Sequence, residues 1–251
     1  MATIKKLRIG VYIPYEAQLL DLSPIDLFGM LDPKYLTTCE LPGPFVAQGM
    51  PSTIDYISAP ENGPHVELTA NINLKVTRTT NDPEVQPGNL DIILVPGTPP
   101  NQSFDEKTLA FLKAHADWRG KKGESTDILS VCTAAFFLGH CGILKGKKAS
   151  GPRPLVSRLK KLFPETTWVS DKRWVHDGNI WSSGGITNGQ EMVAAYLREK
   201  FPGPVTNTVI GMADVGSKGI NYEKHSWIDN LWWAWQILKA VTVGNSKWKQ
   251  T

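Results

Sequence analysis

The 251-residue sequence has few cysteines, no long apolar run and almost no excess of charge of one sign. Its three cysteines, Cys39, Cys132 and Cys141, cannot all pair and match no zinc-ligand spacing, which favours a reducing compartment and predicts no metal. No segment approaches the roughly 20 apolar residues of a membrane span. The N-terminus "MATIKKLRIGVYI" lacks the apolar run of a signal peptide. We therefore expect a cytoplasmic protein that does not contact a membrane.

The formal net charge of +3 is too small, and its basic residues too scattered, to predict binding of a nucleic acid. The hydrophobic fraction of 41% and the charged fraction of 20% are typical of a globular domain. No repeat or linker interrupts the chain, so residues 1–251 are predicted to form one domain. Five of the nine tryptophans lie between 227 and 248. We expect residues 204–251 to be a tryptophan-rich extension that packs on the domain or on a partner subunit.

Apolar, β-branched runs alternate with helical patterns along the chain. Strands are predicted over 7–13, 70–76, 90–97 and 127–131, and helices over 105–118, 189–201 and 226–241. Such alternation is typical of an α/β fold, with a mostly parallel sheet and helices on both faces. A hairpin is predicted over 173–181, with a type I′ turn at Asp177-Gly178.

A helix start is predicted in the segment "SPIDLFGML". Ser23 would be its N-cap, Pro24 would take the first helical position, and Asp26 would take the capping-box position. In this interpretation Asp26 is a capping carboxylate rather than a functional one.

The stretch "ILSVCTAAFFLGHCGILKG" runs from an apolar strand directly into Cys132 and then into a helix of small residues. Ligand sites of parallel sheets lie beyond the carboxyl ends of the strands, which is where Cys132 is expected. A helix N-terminus favours a thiolate, so we expect a lowered thiol pKa and a nucleophilic Cys132. Cys141 lies at the other end of the same helix, where the dipole opposes ionisation, and it is interpreted as a small buried hydrophobe.

A nucleophile also needs donors for developing negative charge and a group that moves protons. The N–H of Thr133 follows Cys132 directly, and Gly97-Thr98 ends the neighbouring strand, where its backbone could supply a second donor. Asp21 follows the first strand and is the candidate acid, although a solvated or capping role stays open. No histidine can be assigned as a general base from its spacing.

Several segments together resemble the DJ-1/PfpI superfamily, within the class I glutamine amidotransferase-like fold. They are "LLDLSPIDLFGML", "GPHVELTANINLKV", "LDIILVPGT", "ILSVCTAAFFLGHCGILKGKKAS" and "RWVHDGNIWSSGGITNGQEMVAAYL". The resemblance implies a flavodoxin-like three-layer sandwich with Cys132 on a nucleophile elbow, contacted by an acid from the loop after the first strand. It also implies a homodimer that acts on a small molecule without a cofactor.

Thr133 after the cysteine makes the chain more similar to the isonitrile-hydratase-like branch of that family. The resemblance implies that the Cys132 thiolate attacks the isonitrile carbon, Asp21 donates a proton, and water then releases an N-substituted formamide. Thr133 and Gly97 would be the backbone donors.

Three segments depart from the family pattern, and one of them is the tryptophan-rich tail "SWIDNLWWAWQILKAV". "DLSP" is one residue shorter than the usual acid loop, which leaves Asp21 and Asp26 as alternatives for the partner of Cys132. "SGPRP" replaces a family segment, so Ser150 and Arg153 would shape the pocket differently, with Arg153 able to clamp an anionic group. With Thr98 and His225, these residues complete the candidate substrate-binding set.

Three functions follow as hypotheses. The first is hydration or hydrolysis of a small electrophile by Cys132. The second is a metabolite-tailoring lyase, hydratase or cyclase for a bulkier aromatic substrate, suggested by the tryptophans and the changed "SGPRP" segment. The third is a redox sensor or chaperone-like dimer in which a cysteine is oxidised.

Overall fold

The computed structural model describes residues 6–223 and, in the C-terminal segment, residues 228, 231, 232, 234–236 and 238. The strands in this part of the chain are β1 Leu7–Tyr12, β2 Ser52–Ser58, β3 His65–Leu68, β4 Ile72–Lys75, β5 Arg78–Thr79, β6 Ile92–Val95, β7 Asp127–Ser130, β8 Lys148–Ala149, β9 Thr167–Trp168, β10 Trp174–Asp177 and β11 Ile180–Ser183. The α-helices are α1 Leu19–Leu22, α2 Asp26–Gly29, α3 Pro33–Thr38, α4 Gly43–Val46, α5 Glu106–Asp117, α6 Ala134–His140, α7 Val156–Leu162, α8 Asn188–Lys200 and α9 Pro204–Met212. Short 3₁₀ turns span Ser23–Ile25, Pro60–Asn62, Pro83–Val85 and Arg153–Leu155.

A seven-stranded sheet in the order β10-β11-β7-β6-β1-β2-β5 forms the centre of the protein. All of its neighbouring strands are parallel except the hairpin pair β10 and β11. The predicted mostly parallel sheet is therefore confirmed. The predicted strand over 70–76 is β4, but it pairs with β3 in a separate two-stranded ribbon outside the central sheet.

Two apolar cores lie on opposite faces of this sheet. Successive side chains of a strand point to opposite faces, and in β6 Ile92 and Leu94 pack into one core while Ile93 and Val95 pack into the other. Helices α2, α3, α8 and α9 contribute to the first core, and α5, α6 and α7 contribute to the second. Burial on both faces explains the unbroken apolar run of β6 and gives the flavodoxin-like three-layer sandwich.

The strand order places the carboxyl ends of β1, β6 and β7 side by side, with β6 in the middle. The chain leaves β1 toward β2 and later returns on the other side of β1 to form β6, so the order of strands reverses between β1 and β6. Such a reversal opens a crevice at the carboxyl edge of the sheet. The segments that follow these three strands carry Asp21, Gly97 and Cys132, with Asp21 in α1.

The predicted helix start at Ser23 is wrong. Helical structure already begins at Leu19 with Gln18 as N-cap, and Ser23 has helical φ and ψ of −55° and −30°. The Ser23 hydroxyl donates to the Leu20 carbonyl at 2.6 Å rather than capping a helix. Packing of Leu22, Pro24 and Ile25 against the domain outweighs the local capping preference of the segment.

The predicted hairpin is present, but its turn lies one residue later than expected. Asp177 pairs with Ile180, so the two-residue loop is Gly178-Asn179 rather than Asp177-Gly178. Of these two loop residues only Gly178 has a positive φ, +67°, whereas a type I′ turn needs a positive φ at both. The Asn179 side chain instead donates to the carbonyls of Ala116 and Thr126, which ties the turn to the domain.

The C-terminal region begins as part of the domain. In α9 the side chains of Val205, Val209 and Ile210 are buried in the first core. Most of the helix predicted over 226–241, including Trp227 and Trp233, lies outside the described residues. Among those described there, the large exposed apolar side chains are Leu231, Trp232, Trp235 and Leu238. No helix in the described part of the chain is long and apolar enough to span a membrane.

We predict that His115 makes folding stability depend on pH. His115 is fully buried, its Nε2–H donates to the Val85 carbonyl at 3.0 Å, and its Nδ1 has no partner among the described residues. Burial therefore lowers the pKa of His115 from 6.5 to about 4. The unfolded chain takes up the proton first, so the free energy of unfolding should fall by up to about 3 kcal/mol as the pH drops from about 6.5 to about 4.

Urea denaturation at several pH values tests this expectation. His115→Gln keeps a donor for Val85 and should flatten the dependence between pH 6.5 and pH 4; the same change at His65, which is exposed on β3, is the matched control. An equally steep dependence in His115→Gln would assign the effect to other groups.

Candidate active site

Cys132 lies on a sharp turn between β7 and α6. Its φ is +59°, a left-handed conformation that non-glycine residues rarely adopt. The strand is held up to this point, because the Val131 N–H donates to the Val95 carbonyl of β6 at 3.0 Å. Directly after the turn, the Ala135 N–H donates to the Cys132 carbonyl at 3.3 Å, and this bond starts the helix. The turn therefore presents a single side chain at the edge of the sheet.

Helix α8 packs directly behind this turn. A Cβ on Gly189 would lie 2.7 Å from a methyl carbon of Val131 and 3.2 Å from the ring of Pro24, so only glycine permits this close approach. The next residue, Gln190, donates from its side-chain amide to the Ser23 hydroxyl at 2.9 Å. One helix thus supports both the turn that carries Cys132 and the segment that carries Asp21.

Asp21 is the carboxylate beside Cys132. Its side chain is 0% exposed, and its Oδ2 accepts a hydrogen bond of 3.0 Å from the Gly97 N–H. The carboxyl group and the Cys132 thiol are close enough to shift each other's pKa. Asp26 is exposed on α2, so of the two alternatives left by the sequence the structure favours Asp21.

Gly97, in the loop after β6, lies in close contact with both Asp21 and Thr133. A Cβ at this position would lie 2.3 Å from Asp21 Oδ2 and 2.6 Å from Thr133 Oγ1, so no larger residue fits without displacing them. Its carbonyl accepts from the Gln18 N–H at 3.0 Å. The Gly97 N–H was expected to stabilise charge on the substrate, but it is occupied by Asp21. Gly97 therefore orients the carboxylate and is not a free donor.

The two functional groups compete for one proton. Burial raises the pKa of Asp21 to about 6, although the Gly97 N–H and the Cys132 thiol both favour its ionised form. Burial, followed by the charge of Asp21, raises the pKa of the Cys132 thiol to about 12. Hydrogen bonds from the N–H and side chain of Thr133 oppose that rise without cancelling it. At neutral pH the pair therefore holds one proton and one negative charge.

The expected lowering of the Cys132 pKa by the helix N-terminus is therefore wrong. Desolvation and a neighbouring carboxylate both disfavour the thiolate, and their sum exceeds the stabilisation by Thr133 at the start of α6. Cys141 matches its prediction as a small hydrophobe, since it is buried in the second core and burial raises its pKa. All three cysteines are free of disulfides.

A cavity of about 260 Å³ opens over the pair. Its floor contains Asp21, Cys132 and Thr133, and its apolar wall includes Ala17, Pro99, Pro100 and Ile186. No histidine is among its described lining residues. The four described histidines lie elsewhere: His65 is exposed on β3, His115 is in the core, His140 packs against Phe163, and His176 stacks on Trp181.

Of the predicted substrate-binding residues, Thr98 belongs to the described lining of the cavity, whereas Ser150 and Arg153 do not. Thr98 lines the cavity, is 3% exposed, and its Oγ1 has no hydrogen-bond partner among the described residues. Ser150 is buried outside the described lining, where it bonds to Ser182 and the Lys172 carbonyl. The Arg153 guanidinium lies over the Tyr222 ring, 4.2 Å from its centroid, and is not part of the described lining either. His225 lies outside the described residues.

Seven further lining residues were not singled out from the sequence: Glu16, Ala17, Gln18, Thr69, Pro99, Pro100 and Ile186. Glu16 and Gln18 lie in the loop that follows β1, so the rule that sites lie beyond the carboxyl ends of parallel strands could have found them. Ile186 comes from the loop after β11, and no local signal indicates that this loop reaches back over the neighbouring strand.

These features define a class: a flavodoxin-like α/β protein whose strand-to-helix turn presents a cysteine beside a buried carboxyl group. A family model described as "DJ-1/PfpI family" matches residues 48–199, a range that includes Gly97, Cys132 and Thr133 but not Asp21. The chain therefore belongs to the DJ-1/PfpI family, as the sequence motifs predicted.

Individual relatives agree with this assignment. An isonitrile hydratase of Pseudomonas putida is 32% identical over 137 residues, which cover 53% of this chain and 54% of that protein. The chain thus matches about half the length of that relative. A THiJ/PfpI family protein from Pseudomonas syringae has a TM-score of 0.67 at 18% identity, covering 95% of this chain and 88% of the other. DJ-1beta of Drosophila melanogaster has a TM-score of 0.59 at 16% identity, covering 84% and 99%. These structures share the fold.

We predict that the strained φ of Cys132 reverses the usual stability order of alanine and glycine. In a strand or helix glycine is less stable than alanine, but in the left-handed region alanine is strained by about 1 kcal/mol. Cys132→Gly should therefore be more stable than Cys132→Ala by about 1 kcal/mol. Urea denaturation of both variants measures this difference. A clearly more stable alanine variant would contradict the strained turn.

Proposed function

We propose that this protein is a cofactor-independent enzyme that hydrates a small electrophile of the isonitrile class, with Cys132 as nucleophile and Asp21 as proton carrier. The observation that carries the proposal is the buried thiol–carboxyl pair, which shares one proton at the floor of a cavity of about 260 Å³. An ionised carboxylate beside a protonated thiol is a base placed next to the nucleophile that it activates.

The first half of the reaction uses that shared proton. As the Cys132 sulfur attacks the terminal carbon of the isonitrile, its proton moves to Asp21. The carboxylic acid then donates the same proton to the attacked carbon, which would otherwise hold a carbanion. A C–S bond and a C–H bond form, the carbon–nitrogen triple bond becomes a double bond, and the product is a thioimidate on Cys132.

Water completes the reaction. It adds to the thioimidate carbon, with Asp21 accepting one of its protons and the nitrogen taking up another. Collapse of the tetrahedral adduct breaks the C–S bond, releases an N-substituted formamide, and returns the proton held by Asp21 to the sulfur. The sum is addition of one water molecule to one isonitrile, so no cofactor is needed.

The surrounding residues support these steps in different ways. The Thr133 N–H and side chain interact with the sulfur and favour its negative charge, which assists attack and departure. The Gly97 N–H holds one carboxylate oxygen of Asp21. The hydroxyl of Thr98 has no partner among the described residues, and it is the candidate donor or acceptor for the polar end of the substrate or for the attacking water.

The size of the cavity favours a small substrate over a bulky aromatic metabolite. About 260 Å³ lies below the range of roughly 300–1,000 Å³ that is usual for drug-sized ligands. No tryptophan is among the described lining residues. The isonitrile hydratase of Pseudomonas putida supports the choice of electrophile, as a relative that matches about half of this chain.

The electrostatics of the pair also weigh against a redox sensor. Oxidation to sulfenic acid begins from the thiolate, and burial together with Asp21 raises the pKa of Cys132 to about 12. A sensing cysteine would need the opposite shift. The homodimer and the cytoplasmic location stay predictions of the sequence.

Replacing the sulfur tests the nucleophile. Cys132→Ser and Cys132→Ala should reduce formamide production from a simple alkyl isonitrile to the uncatalysed rate, because neither side chain forms the C–S bond. The matched control is Cys39→Ser, a half-buried cysteine outside the cavity, which should keep full activity. Turnover of Cys132→Ala at the wild-type rate, measured by infrared loss of the isonitrile band, would overturn the proposal.

Replacing the acid tests the proton carrier. Asp21→Asn should lower kcat/KM by about 10²- to 10⁴-fold, the usual contribution of a positioned acid or base. Wild-type activity should rise with pH through about 6, as Asp21 ionises and becomes able to accept the thiol proton. Asp21→Asn should lack this rise.

The same variant has a readout that does not depend on turnover. Because the charge of Asp21 raises the pKa of Cys132, Asp21→Asn should shift the pH profile of thiol alkylation toward lower pH. An unchanged alkylation profile would show that Asp21 does not act on the sulfur.

A further inference from the structure

We propose that the Cys132 cavity selects neutral or positively charged electrophiles against anionic ones, and that Glu16 at its mouth is a residue that determines this specificity. The inference rests on the proposed function, because it names the chemical class of substrate for the same site. It can be tested separately, because the access of charged thiol reagents to Cys132 in the cavity can be measured without any isonitrile.

The charges around the cavity are of one sign. Asp21 lies at its floor, Glu16 is an exposed carboxylate on its rim, and no lysine or arginine is among the described lining residues. The hydroxyl and amide side chains of the lining, Gln18, Thr69, Thr98 and Thr133, are uncharged. A carboxylate, phosphate or sulfonate on a substrate would therefore lose water without gaining a cationic partner.

Two arginine side chains that could have bound an anionic substrate, those of Arg153 and Arg158, contact other groups instead. Arg153, expected from the sequence to clamp an anionic group, lies over the ring of Tyr222. Arg158 is tied to the loop that carries Pro100, but its guanidinium donates to the Pro100 carbonyl and to Asn101 Oδ1. It also lies 5.0 Å from the centre of the Phe136 ring, so it contacts the loop without lining the cavity.

The two acids act at different depths. The pair of Asp21 and Cys132 holds one negative charge at neutral pH in a buried position, where charge interactions are weakly screened. Glu16 is exposed, so its influence on an approaching ion reaches about one Debye length, roughly 10 Å at 0.1 M salt. Glu16 is therefore expected to attract a cationic group to the rim, while the buried charge repels an anion at the floor.

Three methanethiosulfonate reagents of similar size test this charge selection: the 2-aminoethyl, 2-hydroxyethyl and 2-sulfonatoethyl compounds, which are cationic, neutral and anionic. In each case the Cys132 sulfur attacks the reagent sulfur, a disulfide forms, and methanesulfinate leaves. Rates are measured by intact mass in a Cys39→Ser background, with Cys132→Ala showing any labelling elsewhere. The rates at which the same reagents modify free 2-mercaptoethanol give the ratio of their intrinsic reactivities.

After division by that intrinsic ratio, the cationic reagent should modify Cys132 at least about 30-fold faster than the anionic one, with the neutral reagent between them. Glu16→Gln should reduce this ratio of cationic to anionic rates about 3- to 10-fold. Added salt should also reduce the ratio, and it should do so more in the wild-type protein than in Glu16→Gln. Glu84→Gln is the matched control, because Glu84 is an exposed acid beside Val85, which contacts His115 of α5 rather than the cavity. It should leave the ratio unchanged.

The outcomes separate the two proposals. A normalised ratio near one, or a ratio that Glu16→Gln does not change, overturns the charge selection. If the ratios are as expected but isonitriles are not hydrated, the charge selection stands and the proposed function fails. If isonitriles are hydrated, those with an amino group should have a higher kcat/KM than those with a carboxylate, and Glu16→Gln should narrow this difference mainly through KM.

Discussion

The burial of the Asp21 carboxyl group against the Cys132 thiol is the interaction on which the rest of this site depends. A buried carboxylate with one backbone hydrogen bond is costly, and the cost appears as a raised pKa on both groups. At neutral pH the pair consequently holds one proton, which is on the sulfur until Asp21 accepts it. That shared proton links the two steps of the proposed hydration, because the group that activates the sulfur is also the acid that protonates carbon.

The geometry of the pair is maintained by close backbone packing rather than by additional polar groups. Gly97 brings the loop after β6 against both Asp21 and Thr133, and Gly189 brings α8 against Val131. The left-handed turn at Cys132 is tolerated because β7 is hydrogen-bonded up to Val131 and a helix begins directly afterwards. Strain of this kind persists only where the surrounding structure determines the conformation.

The same burial shapes what the site can accept. With an acid at the floor, a second acid on the rim and no cation in the described lining, the cavity suits an uncharged or cationic electrophile. Its volume suits a small one. Arg153 shows that residue type alone does not assign a role. Its guanidinium lies over the ring of Tyr222, outside the described lining of the cavity.

The sequence by itself determined the class of fold and the position of the nucleophile candidate. Continuous apolar strands alternating with helices require a sheet covered on both faces, and a cysteine between such a strand and a helix lies at the sheet's carboxyl edge for any parallel arrangement. Both inferences rest on local periodicity, which survives in the structure. The family resemblance rests on the same motifs.

Only the tertiary structure decided which acid meets Cys132, what the Gly97 N–H binds, and how the thiol titrates. Asp21 and Asp26 lie five residues apart in one helical segment, and the tertiary structure buries Asp21 against Gly97 and Cys132 while it leaves Asp26 exposed. The pKa of Cys132 depends on burial and on a charge more than a hundred residues away in the chain, whereas the helix N-terminus is a local feature. Desolvation and long-range charge are properties of the folded surroundings, so no local pattern could predict them.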